Sequence, residues 1–214
     1  MRDYQRDRDR MVDEQIARRG VRDERVLEAM RKVPRHEFVA PNAADSAYSD
    51  FPLHIPERQT ISQPYIVAVM SEAARIRPGE RVLEVGTGSG YAAAVLSVLA
   101  ARVYTIERIP ALAETATAHL ANYPNVTVIT GDGTLGLPDE APFDAILVTA
   151  AGPEIPPPLR EQLAIGGRLV LPRDIPNRGQ RLVRVTREAE SEWEQEILIP
   201  VTFVPLIGEH GVRR

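Results

Sequence analysis

The chain has 214 residues, 43% hydrophobic and 26% charged, a globular balance long enough for one well-filled domain and short for two. Its formal net charge of −4 offers no basic field for holding nucleic acid non-specifically. It contains no cysteine, which excludes a disulfide framework and a thiolate metal site.

The opening MRDYQRDRDR alternates charges where a signal peptide needs an apolar core. No apolar run approaches the roughly 20 residues that span a membrane, so the cytoplasm is the expected location. Residues 1–40 read as helical. Asp23 suits the N-cap of a helix whose apolar stripe is Val26, Leu27, Met30 and Val33, and Pro34 ends it. Residues 41–63 read as an irregular stretch carrying Pro41, Pro52 and Pro56. Pro64 then fits the first turn of a helix through Ile66, Val67, Val69, Met70 and Ala73.

From residue 78 the pattern becomes strands alternating with helices. Strands are expected at 81–85, 103–106, 126–129, 143–149 and 168–171, and helices at 91–100, 111–122 and 157–163. Two further strands, 181–186 and 195–203, follow with no helix between them; the acidic connection reads as a solvated hairpin. The expected fold is α/β: a doubly wound, mostly parallel, Rossmann-like sheet closed by a C-terminal antiparallel pair and carrying N-terminal helices. One domain, 1–214, accounts for the chain, with helices and an acceptor loop over 1–77 and an α/β cofactor-binding core over 78–214.

The sharpest local signal is Glu84-Val85-Gly86-Thr87-Gly88-Ser89-Gly90, joining the first core strand to a helix. Glycines permit a tight turn and close approach of a ligand, and ligands of such sheets bind at the carboxyl ends of the strands. The spacing is G-x-G-x-G rather than the nucleotide fingerprint G-x-G-x-x-G, and no Gly-Lys-Ser/Thr follows. A carboxylate at Glu84 would repel a pyrophosphate and would suit a ligand with an ammonium and a sulfonium, which points to S-adenosylmethionine. Glu107 ends the second core strand, where a carboxylate accepts from ribose hydroxyls. Asp132-Gly133 follows the third, either as a simple turn or as a contact to adenine.

Several motifs resemble the protein-L-isoaspartate O-methyltransferase family. Val33-Pro34-Arg35-His36-Glu37-Phe38-Val39 is similar to its VPRHxFV segment, and Ala47-Tyr48-Ser49-Asp50 with Pro52-Leu53 to its AYxDxPL. Gln59-Thr60-Ile61-Ser62-Gln63-Pro64 matches its QTISQP, and Leu83–Tyr91 is close to its LEIGTGSGY. Gly131-Asp132-Gly133, Ala141-Pro142-Phe143-Asp144 and Phe203-Val204-Pro205-Leu206 fall in family order. One departure stands out: the family's IGxGQ is Ile55-Pro56-Glu57-Arg58-Gln59 here, a stiffer and more charged loop.

The resemblance implies methyl transfer from S-adenosylmethionine, leaving S-adenosylhomocysteine, to the α-carboxylate of L-isoaspartyl residues in damaged polypeptides. It implies that Ser62 is the active-site serine, with Thr60, Ile61, Val204 and Leu206 forming the acceptor pocket. Glu84, Gly86, Thr87 and Gly88 would hold the cofactor's amino-acid end, Glu107 its ribose, and Asp132 with Gly133 its adenine. Neither a metal, a nucleic acid nor a membrane enters that reaction, and a monomer is expected.

The chemistry suits these residues. An acceptor carboxylate is ionised at neutral pH and needs no general base; positioning is then the enzyme's task. The structural alternative for Ser62 is capping the helix at Pro64. The four histidines, His36, His54, His119 and His210, show no metal-ligand spacing. His119 reads as solvated and His36 as ordering the N-terminal segment. Tyr48 and Trp193 are core or pocket residues. The rival readings are a methyltransferase of this scaffold acting on another carboxylate or hydroxyl, a nicotinamide-dependent oxidoreductase, and a non-catalytic cofactor-binding module.

Overall fold

A computed structural model describes residues 2–212. It opens with helix α1 (Tyr4–Arg10), started by Asp3, whose side chain accepts the Arg6 amide. The chain runs on through a π-helical turn, Met11–Ile16, and a 3-10 turn, Ala17–Arg19, and stops at Gly20 with φ 107°. Helix α2 (Glu24–Lys32) begins where Asp23 accepts the Arg25 amide, and it buries Val26, Leu27, Ala29 and Met30. The Arg25 guanidinium donates to the carbonyls of Ile76 (2.6 Å) and Leu99 (2.8 Å), tying α2 to the body of the protein.

The stretch expected to be irregular contains a small hairpin, β1 (Leu53–Ile55) with β2 (Gln59–Ile61), paired antiparallel. Its turn residues Glu57 and Arg58 both lie at positive φ, 60° and 56°. Such turns are normally marked by Asn-Gly or Gly, so the usual cue is missing. Helix α3 (Pro64–Ala73) follows. The carbonyls at its C-terminal end are taken by arginines from the far sheet: Arg168 donates to Ala74 and Arg75, both at 2.7 Å, and Arg184 to Ala73 at 3.3 Å. Glu80 neutralises Arg168 at 2.6 Å.

The core then alternates: β3 (Arg81–Val85), α4 (Tyr91–Leu99), β4 (Arg102–Glu107), α5 (Pro110–His119), β5 (Val126–Thr130), β6 (Phe143–Val148), α6 (Pro157–Glu161) and β7 (Leu163–Ile175). Two long strands close it, β8 (Gly179–Ala189) and β9 (Glu192–Pro200). The spatial order is β5-β4-β3-β6-β7-β8-β9, parallel through β7 and antiparallel beyond. The doubly wound sheet with an antiparallel end is therefore as the alternation implies.

Strand alternation sorts side chains between two cores. Val82, Val103, Ala145 and Leu147 pack with the N-terminal helices, α3 and α4, whereas Leu83, Val85, Ile106, Ile146 and Val148 pack with Leu159, Leu163 and Leu206. Three boundaries differ from expectation. β7 extends well past 168–171 at both ends, running through Pro172, which is tolerated because the pairing with β6 has ended at Val170. β8 and β9 consume most of the expected connection, leaving Glu190 and Ser191 as the turn. β9 stops at Pro200, so Phe203 lies beyond it. Glu192, Glu194 and Glu196 are exposed along this edge strand, charges that discourage edge pairing and also obscure an alternating apolar signal.

Candidate active site

Strand order reverses at β3, whose neighbours are β4 on one side and β6 on the other. Ligand sites of open α/β sheets form at this point, outside the carboxyl ends of the strands. Here a cleft of about 680 Å³ opens, walled by the glycine loop, the ends of β4 and β6, the β2–α3 junction and residues 200–207. Gly86, Gly88 and Gly90 have φ of 99°, 54° and 89°, values that favour glycine. A side chain at Gly86 would overlap Thr149 Oγ1, which bonds the carbonyls of Val85 (3.1 Å) and Gly86 (2.8 Å). Thr149 therefore locks the loop to the end of β6, a role with no local sequence signal.

The acids sit differently from one another. Glu107 lines the cleft; its two carboxylate oxygens accept the amides of Gly88 and Ile109, each at 2.9 Å. Each oxygen retains a lone pair for a further donor. Glu84, by contrast, does not line the cleft. It lies on the helix-packed face of β3 and is fully buried. Its Oε2 accepts from Thr105 Oγ1 at 2.6 Å, and Thr105 is bonded in turn to Thr87 Oγ1 at 2.6 Å. Oε1 has no partner among the described residues. Burial pushes Glu84 up to about 8; the Thr105 hydroxyl opposes the rise and the Glu107 charge adds to it. The negative charge facing the cleft is thus Glu107, and not Glu84 as the loop sequence suggests.

Ser62 and Thr60 are half-buried, Ile61 is buried, and all three line the cleft. Ser62 does not cap α3: the N-cap residue is Gln63, and the Ser62 side chain makes no hydrogen bond among the described residues. Its hydroxyl is free to meet a ligand. Ile55 of the hairpin packs over Gly88, so the hairpin rests directly on the glycine loop. Val204 and Leu206 complete the opposite wall.

Gly133 lines the cleft but the Asp132 side chain does not. Its Oδ1 accepts the Thr134 amide (2.9 Å) and hydroxyl (2.7 Å), and its Oδ2 accepts the Glu209 amide (2.7 Å). Burial raises the group, but the Glu209 and Thr134 bonds outweigh it and leave Asp132 below the ordinary carboxylate value. Asp132 thereby clamps the C-terminal segment whose Leu206 and Ile207 wall the cleft.

His119, expected to be solvated, has its Nδ1 2.9 Å from the Ser89 carbonyl and packs edge-on to Phe38. It links the glycine loop to the VPRHEF segment. His36 stacks on Tyr4 at 4.0 Å and bonds the Tyr48 hydroxyl at 2.7 Å, ordering the N-terminal segment. Tyr48 is a core residue; Trp193 is half-buried beside Arg160 and Arg187. Among the described residues no cluster of His, Asp or Glu has the makings of a metal site, and no helix is long and apolar enough to cross a membrane.

Comparison with known proteins agrees with this geometry. The family model described as Protein-L-isoaspartate(D-aspartate) O-methyltransferase (PCMT) matches residues 6–211. The protein-L-isoaspartate O-methyltransferase of Protochlamydia amoebophila is 56% identical over 203 residues, covering 94% of this chain and 97% of the relative. That of Methanoculleus marisnigri is 55% identical over 208 residues, covering 96% and 94%. Among solved structures, a Plasmodium falciparum chain assigned as a beta-aspartate methyltransferase (PCMT), crystallised with S-adenosyl-L-homocysteine, superposes with a TM-score of 0.81 at 26% identity, covering 94% of this chain and 98% of that one. With motif, topology and cleft in agreement, the chain belongs to the protein-L-isoaspartate(D-aspartate) O-methyltransferase family.

Proposed function

We propose that this chain transfers a methyl group from S-adenosylmethionine to the α-carboxylate of L-isoaspartyl residues in damaged polypeptides, acting as a single-domain monomer. The observation that carries the reading is the uncommitted Ser62 hydroxyl facing the same cleft as the glycine loop and Glu107. The residues fit the donor. Glu107 keeps acceptor capacity for a ribose diol after binding two amides, at the edge of the cleft that the glycine loop also walls.

When bound, S-adenosylmethionine supplies an electrophilic methyl carbon on a sulfonium. The chain's contribution is placement. Ser62 donates a hydrogen bond that orients the acceptor carboxylate, and Thr60 and Ile61 shape the pocket around it. No histidine or lysine lines the cleft, and Glu107 is engaged with two amides. That suits an acceptor already ionised near neutral pH, which attacks without giving up a proton. Good alignment alone contributes about 7–11 kcal/mol toward such a step. The methyl ester formed then undergoes attack by the neighbouring backbone amide nitrogen, expelling methanol and closing a succinimide. Hydrolysis of that ring returns part of the chain to normal aspartate.

Paired peptides, one isoaspartyl and one aspartyl, incubated with labelled donor test the assignment. Label should enter the isoaspartyl peptide alone; equal labelling of both, or of neither, defeats it.

A further inference from the structure

Ser62 lies between two elements that are short of their own supports. Upstream, β2 is three residues long and pairs only with β1. Downstream, Gln63 occupies the N-cap of α3 but makes no cap bond with its side chain. That side chain turns instead to Asp50. Its Nε2 donates to Asp50 Oδ2 at 2.7 Å and to the Asp50 carbonyl at 2.9 Å. Asp50 Oδ1 accepts the Tyr65 amide at 3.3 Å, one of the first-turn donors that a helix leaves unpaired. Arg19 pairs with the same carboxylate and places its guanidinium 3.5 Å from the centre of the Tyr65 ring.

One carboxylate thus gathers three separate segments around the residue that follows Ser62. It does so from outside the cleft: Ser62 and Gln63 are lining residues, whereas Asp50 is not. The far end of α3 is already fixed by Arg168 and Arg184. Among the described residues the near end has only this arrangement of side chains, and it is the end that carries the hydroxyl.

We propose that Asp50 is a positioning residue for methyl transfer, holding the Ser62 hydroxyl in place through Gln63 and the Tyr65 amide. The proposal rests on the role given to Ser62 above. A displacement of about 1 Å in an orienting group can cost on the order of 100-fold in rate. Asp50→Asn keeps an acceptor but loses the charge and the pairing with Arg19, so a loss of roughly tenfold in kcat is expected.

A double-mutant cycle separates positioning from general damage, because residues acting through one another are non-additive. Turnover on an isoaspartyl peptide is measured for the wild type, Asp50→Asn, Ser62→Ala and the double variant, with S-adenosylhomocysteine affinity measured alongside. Asp50→Asn should slow turnover, leave that affinity within about twofold, and add nothing further once Ser62 is alanine. Losses that multiply, or affinity that falls with turnover, overturn the proposal while leaving the activity assignment standing. A wild type that methylates no isoaspartyl peptide instead sinks the activity assignment itself, and a Ser62→Ala variant with full turnover removes the role on which Asp50 depends.

The Asp50 charge also favours the cationic form of the buried Arg35, whose terminal nitrogens have no hydrogen-bond partner among the described residues, so Asp50→Asn can fail to fold. Gln63→Met covers that case. It removes the amide that Asp50 holds, adds no charge to the cleft and keeps the Asp50 carboxylate that pairs with Arg19. The same pattern of slowed turnover, retained affinity and no added loss in the Ser62→Ala background is expected, and multiplied losses again overturn the proposal.

Discussion

Replacing Glu84 by glutamine removes an ionisable group while leaving an oxygen to accept from the Thr105 hydroxyl. In the native chain burial pushes Glu84 from 4.5 up to about 8, with the Glu107 charge adding to the rise. Between those values the folded chain holds a proton that the unfolded chain has already released. The stability tied to this group is complete below the lower value, falls through the interval, and is lost above the upper one. At about 1.4 kcal/mol per pH unit the full swing is about 5 kcal/mol, of which about 2 kcal/mol falls between roughly pH 6 and pH 8, the folded group being half titrated at the upper end. Urea unfolding at a series of pH values measures it, and other titrating groups cancel when the two proteins are compared at each pH. The wild type should lose about 2 kcal/mol relative to Glu84→Gln across that window. Parallel profiles would refute the buried neutral carboxyl.

Three further outcomes test the site and its support. Glu107→Gln leaves one acceptor oxygen where two amides now bond, so S-adenosylhomocysteine should bind about 10- to 100-fold more weakly by calorimetry; unchanged affinity would remove Glu107 from the donor site. Gly86→Ala forces a side chain against Thr149 Oγ1 at φ 99°, so the same assay should show a loss of more than about tenfold while secondary structure is retained. Arg58→Gly relieves a left-handed position at φ 56°, worth about 1–2 kcal/mol. Glycine's extra freedom in the unfolded chain offsets about 0.5–1 kcal/mol of that, leaving a rise in Tm of a few degrees. A fall in Tm would show that the arginine makes a contribution of its own.

The parallel core was readable because its signals are local and redundant. Buried strands such as β6, with its run Ala145–Val148, carry short apolar stretches, and β3, β4 and β6 are each followed by a turn and a helix. Parallel order then sends Gly86, Glu107 and Gly133 to one edge of the sheet, which is why these residues, far apart in sequence, line one cleft. Glu84 shows where adjacency misleads. It touches the glycine loop in sequence, but strand alternation places it with Val82 on the helix-packed face, one residue out of phase with Leu83 and Val85. The hairpin at 53–61 was hidden because Glu57 and Arg58 hold a turn that normally advertises itself with glycine. Thr149 and His119 act through long-range bonds to backbone carbonyls, which no spacing encodes.

These two kinds of information divide the active site between them. The proposed donor-binding groups come from strand ends, so their placement follows from topology and survives changes in the surrounding loops. The proposed acceptor side comes from a three-residue strand and the first turn of α3, outside the parallel order. Its placement depends on side chains that reach across the fold: arginines from β7 and β8 at the far end of α3, and Asp50 with Arg19 at the near end. A substitution among these distant polar residues should therefore alter how an acceptor is oriented before it alters how the donor is held. The altered turn at Glu57-Arg58 belongs to the same side, since Ile55 of that hairpin rests on Gly88 while its tip is exposed. Divergence in acceptor handling within this scaffold is expected to accumulate there, at the support of Ser62, rather than in the glycine loop.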